Sequence, residues 1–333
     1  SHWLNNKRDV SIVRRGYDLF HSIQYMADII RHLPQMRGYD IVQVTNPVFF
    51  DLRPEKNWAI FKYLKKHNKK IFLDALATDH YYVKACLDGK TFRYSDFFVG
   101  DRPLPHPERE KMLAAWIGGP NERPNIEMAQ EANGIIACLY EYYAAYQPEY
   151  ADKLAYIPIP IDLSINPFHP IKSTPEVVKF FIGIQQHRTA IKGTDILLDV
   201  LREIHDKYPR ESHIQKVVSV PFDEYNKLLV DCHILLDQLY SYTPATNALA
   251  AMARGIIAVS GAEPEFYNFI GEQKLRPIIN VLPDRNDIFK QLENLIIHRD
   301  QLPRLSTESR QFVEKYHDHV KVARQYLEFW EKH

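Results

Sequence analysis

Val177-Val178-Lys179-Phe180-Phe181-Ile182-Gly183-Ile184 is an almost unbroken apolar run. Gln185-Gln186-His187-Arg188-Thr189-Ala190-Ile191-Lys192-Gly193-Thr194 follows it with polar, cationic and glycine residues. An apolar run of this length suits a strand buried on both faces, as in a parallel sheet. With a helix predicted over Thr194–Lys207, the stretch reads as strand, loop and helix. The alternation continues downstream: strand Ile214–Val220, helix Phe222–Val230, strand Cys232–Asp237, helix Ala245–Arg254, strand Ile256–Ser260, a short helix after Pro264 and strand Pro277–Val281. Helices over Arg285–His298 and Glu308–Trp330 close the chain.

Working back from the same stretch, Pro158, Pro160, Pro167, Pro170 and Pro175 crowd the segment after Ile157. Proline at this density is stiff and excluded from a central strand, so the segment reads as a linker. Before it, a helix is predicted over Tyr17–Leu33, with Leu19, Phe20, Ile23, Met26, Ala27 and Ile30 on its buried face. Strand Ile41–Val44, helix Glu55–Lys66 (burying Trp58, Phe61 and Leu64) and strand Ile71–Leu73 follow. An aromatic, loop-rich segment ends at Gly118-Gly119-Pro120, before helix Asn125–Ala132 and strand Gly134–Leu139. The prediction is an α/β chain of two doubly wound parallel-sheet domains, which a length of 333 residues accommodates.

Composition narrows the function. Lysine plus arginine (42) balances aspartate plus glutamate (42), so no net field draws the chain to nucleic acid. Only 12 glycines are present, with no G-x-G-x-x-G and no G-x-x-x-x-G-K-[ST] among them. Cys86, Cys138 and Cys232 are far apart and unpaired in sequence, which argues against zinc and for a reducing setting. No apolar run reaches the roughly 18 residues of a membrane span, and a soluble, cytoplasmic protein is expected.

Ligands of open α/β sheets bind beyond the carboxyl ends of strands, at helix N-termini. Arg188 and Lys192 bring two cations into such a loop, where spacing alone favours simple solvation and a diphosphate would also suit them. A second loop, Gln238 to Asn247, precedes another helix, with Ser241 or Thr243 as the expected N-cap and Pro244 in its first turn. An anion site and an ordinary capped helix both fit. Lys62, Lys65, Lys66, Lys69 and Lys70 form a basic patch that suits either plain solvent or an anionic membrane.

Phe181-Ile182-Gly183 through Ile191-Lys192-Gly193-Thr194 resembles the phosphate-loop segment of GT-B glycosyltransferases, family 4 in particular. Leu249-Ala250-Ala251-Met252-Ala253-Arg254-Gly255 is similar to that family's Glu-Ala-Met-Ala-x-Gly segment. Ile157-Pro158-Ile159-Pro160-Ile161-Asp162 resembles its Ile-Pro-Asn-Gly-Val-Asp linker, and Asp237-Gln238-Leu239 is similar to Bacteroidetes-type capsule and polysaccharide transferases. The resemblance runs over roughly residues 130–265. It implies two Rossmann-like domains facing a cleft: an acceptor-side domain over 1–160, a donor-binding domain over 161–307, and a terminal helix over 308–333 returning to the first.

The resemblance also implies a nucleotide-sugar donor, a saccharide or lipid-linked acceptor, retention of anomeric configuration, and no cofactor or metal. Arg188 and Lys192 match the diphosphate-binding cations, with Gly193, Tyr242, Thr243, Thr246 and Asn247 beside the donor. His80, after strand Ile71–Leu73, is the implied cleft histidine, with Asp79 as its partner. At the two positions where the family carries glutamates, this chain has Tyr242 and Ala250; Glu263 or Glu265 is the expected substitute. The start at Ser1-His2-Trp3 suggests that the opening strand–loop–helix unit is missing. The missing glutamates also fit a relative that binds nucleotide-sugar without turnover. A two-lobed sugar-binding protein and a sugar-nucleotide epimerase are the remaining alternatives.

Overall fold

The computed structural model describes residues 9–104 and 106–333. The first lobe contains α1 (Leu19–His32), β1 (Ile41–Val44), α2 (Pro54–His67), β2 (Lys70–Ala75), α3 (His80–Leu87), β3 (Phe98–Val99), β4 (Arg102–Pro103), α4 (Pro107–Trp116), α5 (Glu122–Glu131), β5 (Gly134–Ala137), α6 (Tyr140–Tyr150) and β6 (Leu154–Tyr156). Its main sheet is parallel, in the order β1-β2-β5-β6. The second lobe begins with β7 (Val178–Ile184), α7 (Thr189–Lys192), α8 (Thr194–Lys207), β8 (Ser212–Val218), α9 (Phe222–Leu229) and β9 (Ile234–Leu236). It continues with α10 (Thr246–Ala253), β10 (Ile257–Ser260), α11 (Pro264–Phe269), β11 (Ile279–Asn280), α12 (Arg285–Ile297) and α13 (Leu302–Tyr316), and α14 (His319–Lys332) ends the chain. Its sheet, also parallel, runs β11-β10-β9-β7-β8.

Two-sided burial explains why β7 reads as a continuous apolar run. Phe180 and Ile182 pack with Leu197 and Leu201 of α8 and Ile288 and Leu292 of α12 on one face. Phe181 points the other way, onto Leu229 of α9 and Ala251 of α10. The first sheet is built alike. Ile71, Leu73 and Ala75 join the cluster that holds Tyr25, Phe61, Met128 and Tyr146, while Phe72 and Ile136 pack against Val322 and Phe329 of α14. The last helix thus lies on the first lobe, where the Trp330 indole donates from Nε1 to Gln43 Oε1 (3.2 Å) and Lys70 Nζ donates to the Trp330 carbonyl (2.7 Å).

Three expectations are corrected by packing. On α1 the buried residues are Tyr25 and Ile29, whereas Leu19, Phe20, Ile23 and Ile30 are exposed. Tyr25 and Ile29 pack into the cluster with Phe61 and Ile71, and the Tyr25 hydroxyl accepts from Asp51 N (3.3 Å). The single helix foreseen over 308–330 is two: His317 and Asp318 interrupt it, and the Asp318 carboxylate caps α14 by accepting from Val320 N (2.9 Å) and Lys321 N (3.1 Å). The aromatic segment foreseen as loop holds α3 and α4, and α6 and β6 follow β5. Among the described residues the first sheet opens at Ile41, with β1 at its edge; Ser1, on which the expectation of a missing opening unit turned, lies outside them.

The chain passes between the lobes twice, and the two passages touch. Ile161 N donates to His317 O (2.7 Å) and His319 N donates to Ile161 O (3.2 Å). The buried His317 ring donates from Nδ1 to Ile159 O (2.9 Å), and burial pulls its pKa down to about 4.

One buried carboxyl in the first sheet makes stability depend on pH. Asp74, at 7% exposure, is pushed up to about 7 by burial, offset in part by the hydrogen bond from Gln43 Nε2 (2.8 Å). Its folded pKa lies above the unfolded 3.8, so its stabilising contribution is full below that value and is lost as pH rises towards 7. Asp74→Asn is expected to gain stability relative to the parent, by more than about 1 kcal/mol, between pH 4.5 and 8. Urea unfolding of both proteins at the two pH values measures this; a pH-independent difference would contradict it.

Candidate functional site

The carboxyl end of β7 leads into α7, a single turn whose last residue is Lys192. Gly193 then adopts φ +67°, a conformation that disfavours other residues, and links α7 to α8. A Cβ there would meet Leu239 Cβ at 2.7 Å and Tyr240 Cε2 at 3.1 Å, so only glycine lets this loop lie against the one that follows β9. Lys192 therefore points inward. Its Nζ lies 3.9 Å from Oδ1 of Asp237, the residue directly after β9, and Asn247 Nδ2 donates to the same oxygen (3.0 Å). Thr246 opens α10 beside them. Arg188, at the start of the α7 turn, is exposed.

Unsatisfied polar atoms gather at this edge. Gln185 Oε1, Asp237 Oδ2 and Ser260 Oγ, at the carboxyl ends of β7, β9 and β10, are buried without a hydrogen-bond partner in the structure. Ser241 Oγ, four residues beyond Asp237, is in the same condition. Buried polar groups are normally paired, so unpaired ones at neighbouring strand ends call for partners that the protein itself does not supply.

A second cluster joins the lobes. Glu141, in the first turn of α6, accepts from Tyr242 N (2.6 Å) and Thr243 N (3.0 Å) on Oε1, and from the Thr243 hydroxyl on Oε2. Glu263 is buried and accepts from Arg93 Nη2, from the Tyr94 hydroxyl (2.7 Å) and from Asn280 Nδ2 (2.8 Å). The Tyr242 hydroxyl accepts from Arg93 N (2.6 Å). Further along the cleft, Arg109 donates to Ala190 O (2.8 Å) and to Asp96 O, with its guanidinium 5.7 Å from the Tyr240 ring. Burial lifts Asp96 to about 6, an effect that a hydrogen bond from Tyr82 and the charges of Arg109 and then Arg188 offset in part.

The structure brings Lys192, Gly193, Thr246 and Asn247 to one edge. It gives Tyr242, Thr243 and Glu263 partners from the first lobe. The hydrogen bonds of His80 and Asp79 run to residues outside both groups. Asp79 is the N-cap of α3: its carboxylate accepts from Tyr82 N (2.9 Å) and the Tyr146 hydroxyl (2.8 Å) rather than orienting His80. His80 in turn donates from Nδ1 to Trp116 O (2.9 Å) and from its backbone N to Asn125 Oδ1 (2.9 Å). The expected Asp–His pair is thus a helix start, with Asp79 capping α3 and His80 opening it. Neither Ser241 nor Thr243 caps α10. That helix starts at Thr246, with Ala245 in the N-cap position, because the Thr243 hydroxyl is committed to Glu141. The basic patch is dispersed into local contacts: Lys65 with Glu131, Lys69 with Asp40, and Lys62 5.3 Å from the Trp58 ring.

Sequence reasoning missed Asp237, Glu141, Arg93 and Arg109 as site residues. A carboxylate closing the apolar run Ile234-Leu235-Leu236 was a legible signal for Asp237. The other three carry no local pattern, since closure of the lobes alone brings them to their partners.

No protein-family model matches the chain, and no curated protein matches its sequence. Solved structures do. Sucrose-phosphate synthase from Thermosynechococcus elongatus aligns at TM-score 0.59 and 13% identity, over 95% of this chain and 79% of that one. HepE of Anabaena, solved with UDP and glucose, aligns at 0.58 and 12%, over 96% and 85%. TarM of S. aureus aligns at 0.54 and 12%, over 82% of this chain and 59% of its own length. The chain has the GT-B fold of glycosyltransferases: two parallel-sheet lobes facing each other across a cleft.

Proposed function

We propose that the chain is a glycosyltransferase that moves a sugar from a nucleotide-sugar donor to a saccharide or lipid-linked acceptor. The observation that carries this reading is the set of buried, unpartnered polar atoms at the carboxyl ends of β7, β9 and β10, the edge at which Lys192 faces Asp237. A diphosphate held there would sit between the Lys192 ammonium and the backbone N–H groups that open α10, with Arg188 neutralising charge from the rim. As the glycosidic bond to the diphosphate breaks, negative charge grows on the leaving phosphate. Fixed cations stabilise that state more than the ground state. Protein cations in this role support a metal-independent reaction, and family 4 membership, implied by the sequence motifs, supports retention of configuration.

HepE, the neighbour solved with UDP and glucose, makes uridine nucleotides the first donors to test. A thermal-shift screen of UDP-, GDP- and ADP-sugars is expected to give one clear stabilisation. A ligand at 100 times its dissociation constant adds about 2.7 kcal/mol. A flat response from every nucleotide would remove the proposal. A second reading, nucleotide-sugar binding without turnover, is favoured by Tyr242 and Ala250 at the two glutamate positions. Release of free sugar or of a transferred product from the stabilising donor excludes it.

A further inference from the structure

Besides the packing of Tyr140, Tyr143 and Tyr156 on Phe269, the described residues of the first lobe reach the second through three hydrogen-bonded anchors that differ in sign. Arg93 and Tyr94 bring a cation and a hydroxyl to a second-lobe carboxylate, Glu263. Arg109 brings a cation to a carbonyl oxygen, that of Ala190. Glu141 brings an anion to second-lobe hydrogen-bond donors. Two adjacent backbone N–H groups and a hydroxyl converge on its carboxylate, and Glu141, Tyr242 and Thr243 are all buried. That donor set is what a phosphate or carboxylate ligand takes from a protein loop. Beside it, the unpartnered Ser241 Oγ belongs to a residue only 7% exposed.

We propose that Glu141 is an intramolecular competitor for the donor pocket: its carboxylate occupies the Tyr242–Thr243 amides, and an anionic ligand enters by displacing it. The inference rests on the donor-site reading above and adds its regulation. Displacement links binding to lobe opening, because the contact that yields is one that spans the cleft. The contacts of Arg93 and Tyr94 with Glu263 and of Arg109 with Ala190 do not involve the Glu141 carboxylate, so they remain to limit how far the lobes part. An intramolecular competitor lowers apparent affinity by the fraction of molecules whose pocket is free.

Glu141→Gln keeps the shape and a carbonyl acceptor for the two N–H groups, but removes the charge. Isothermal titration of the full chain with UDP and, separately, with inorganic pyrophosphate is expected to give binding about tenfold tighter in this variant. Lys192→Ala, measured alongside, is expected to bind more weakly. Unchanged or weaker binding by Glu141→Gln overturns the inference; if Lys192→Ala still loses affinity, the donor-site reading stands without it. No binding of either anion by any variant overturns both. Should Glu141→Gln fail to fold, Glu141→Ala takes its place. Loss of folding in both variants also overturns the proposal, since a contact the lobes cannot do without is not a gate.

Discussion

Lys192→Ala is expected to lower turnover by about 10²–10³-fold, the scale on which removal of one preorganised donor to a developing anion acts. The geometry gives the reason. Lys192 is held inward by the α7–Gly193 turn and faces Asp237 at 3.9 Å, beyond hydrogen-bond reach, so its ammonium protons remain available to a ligand. The fold should survive, because the stem lines a loop rather than a core cluster. Lys192→Arg should recover only part of the loss, a planar fork being a poor substitute for a compact ammonium. Single-turnover assays with the donor identified by the thermal-shift screen measure the effect. Intact turnover in Lys192→Ala would refute the phosphate-loop assignment.

Gly261→Ala should be among the most damaging small substitutions in the chain. Gly261 follows β10 and lies flat against the loop after β9, where a Cβ would fall 1.7 Å from Ser241 O and 2.3 Å from Ser241 C. Backbone cannot yield as a flexible side-chain tip does. The added methyl must push apart the carboxyl ends of β9 and β10, the strands that carry Asp237 and Ser260. A loss of about 3 kcal/mol or more is expected, at the upper end of overpacking effects. The Tyr242–Thr243 turn would move with Ser241, so UDP affinity should change as well. Urea unfolding and titration of the purified variant check both, and wild-type stability would mean that the two loops are not in contact.

Legibility in the sequence followed the physics of burial. Strand Ile41–Val44 and helix Thr194–Lys207 were readable to the residue, and the strand at 177–184 to within one, because a short apolar run bounded by polar residues, or a helix with one wet side, leaves a clear trace. The α6 helix left none: Tyr140, Tyr142, Tyr143, Tyr146 and Tyr150 surround it, Pro148 lies within it, and apolar contacts are spread around its circumference. On α1 the trace misled, since its most apolar stripe faces outward. At the site, a cation and a glycine opening a helix pointed to Lys192 and Gly193. Glu141 meets Tyr242 across 101 positions, a pairing that no local pattern encodes.

The doubled passage between the lobes has a mechanical consequence. A single ribbon joining two bodies lets them twist as freely as they bend. Here Ile161 is laced to His317 and His319, so two ribbons lie side by side, and the buried His317 ring ties one of them to Ile159 as well. Torsion would have to shear those hydrogen bonds, whereas flexing across the pair leaves them whole. The joint is therefore expected to bend across the pair more easily than it twists.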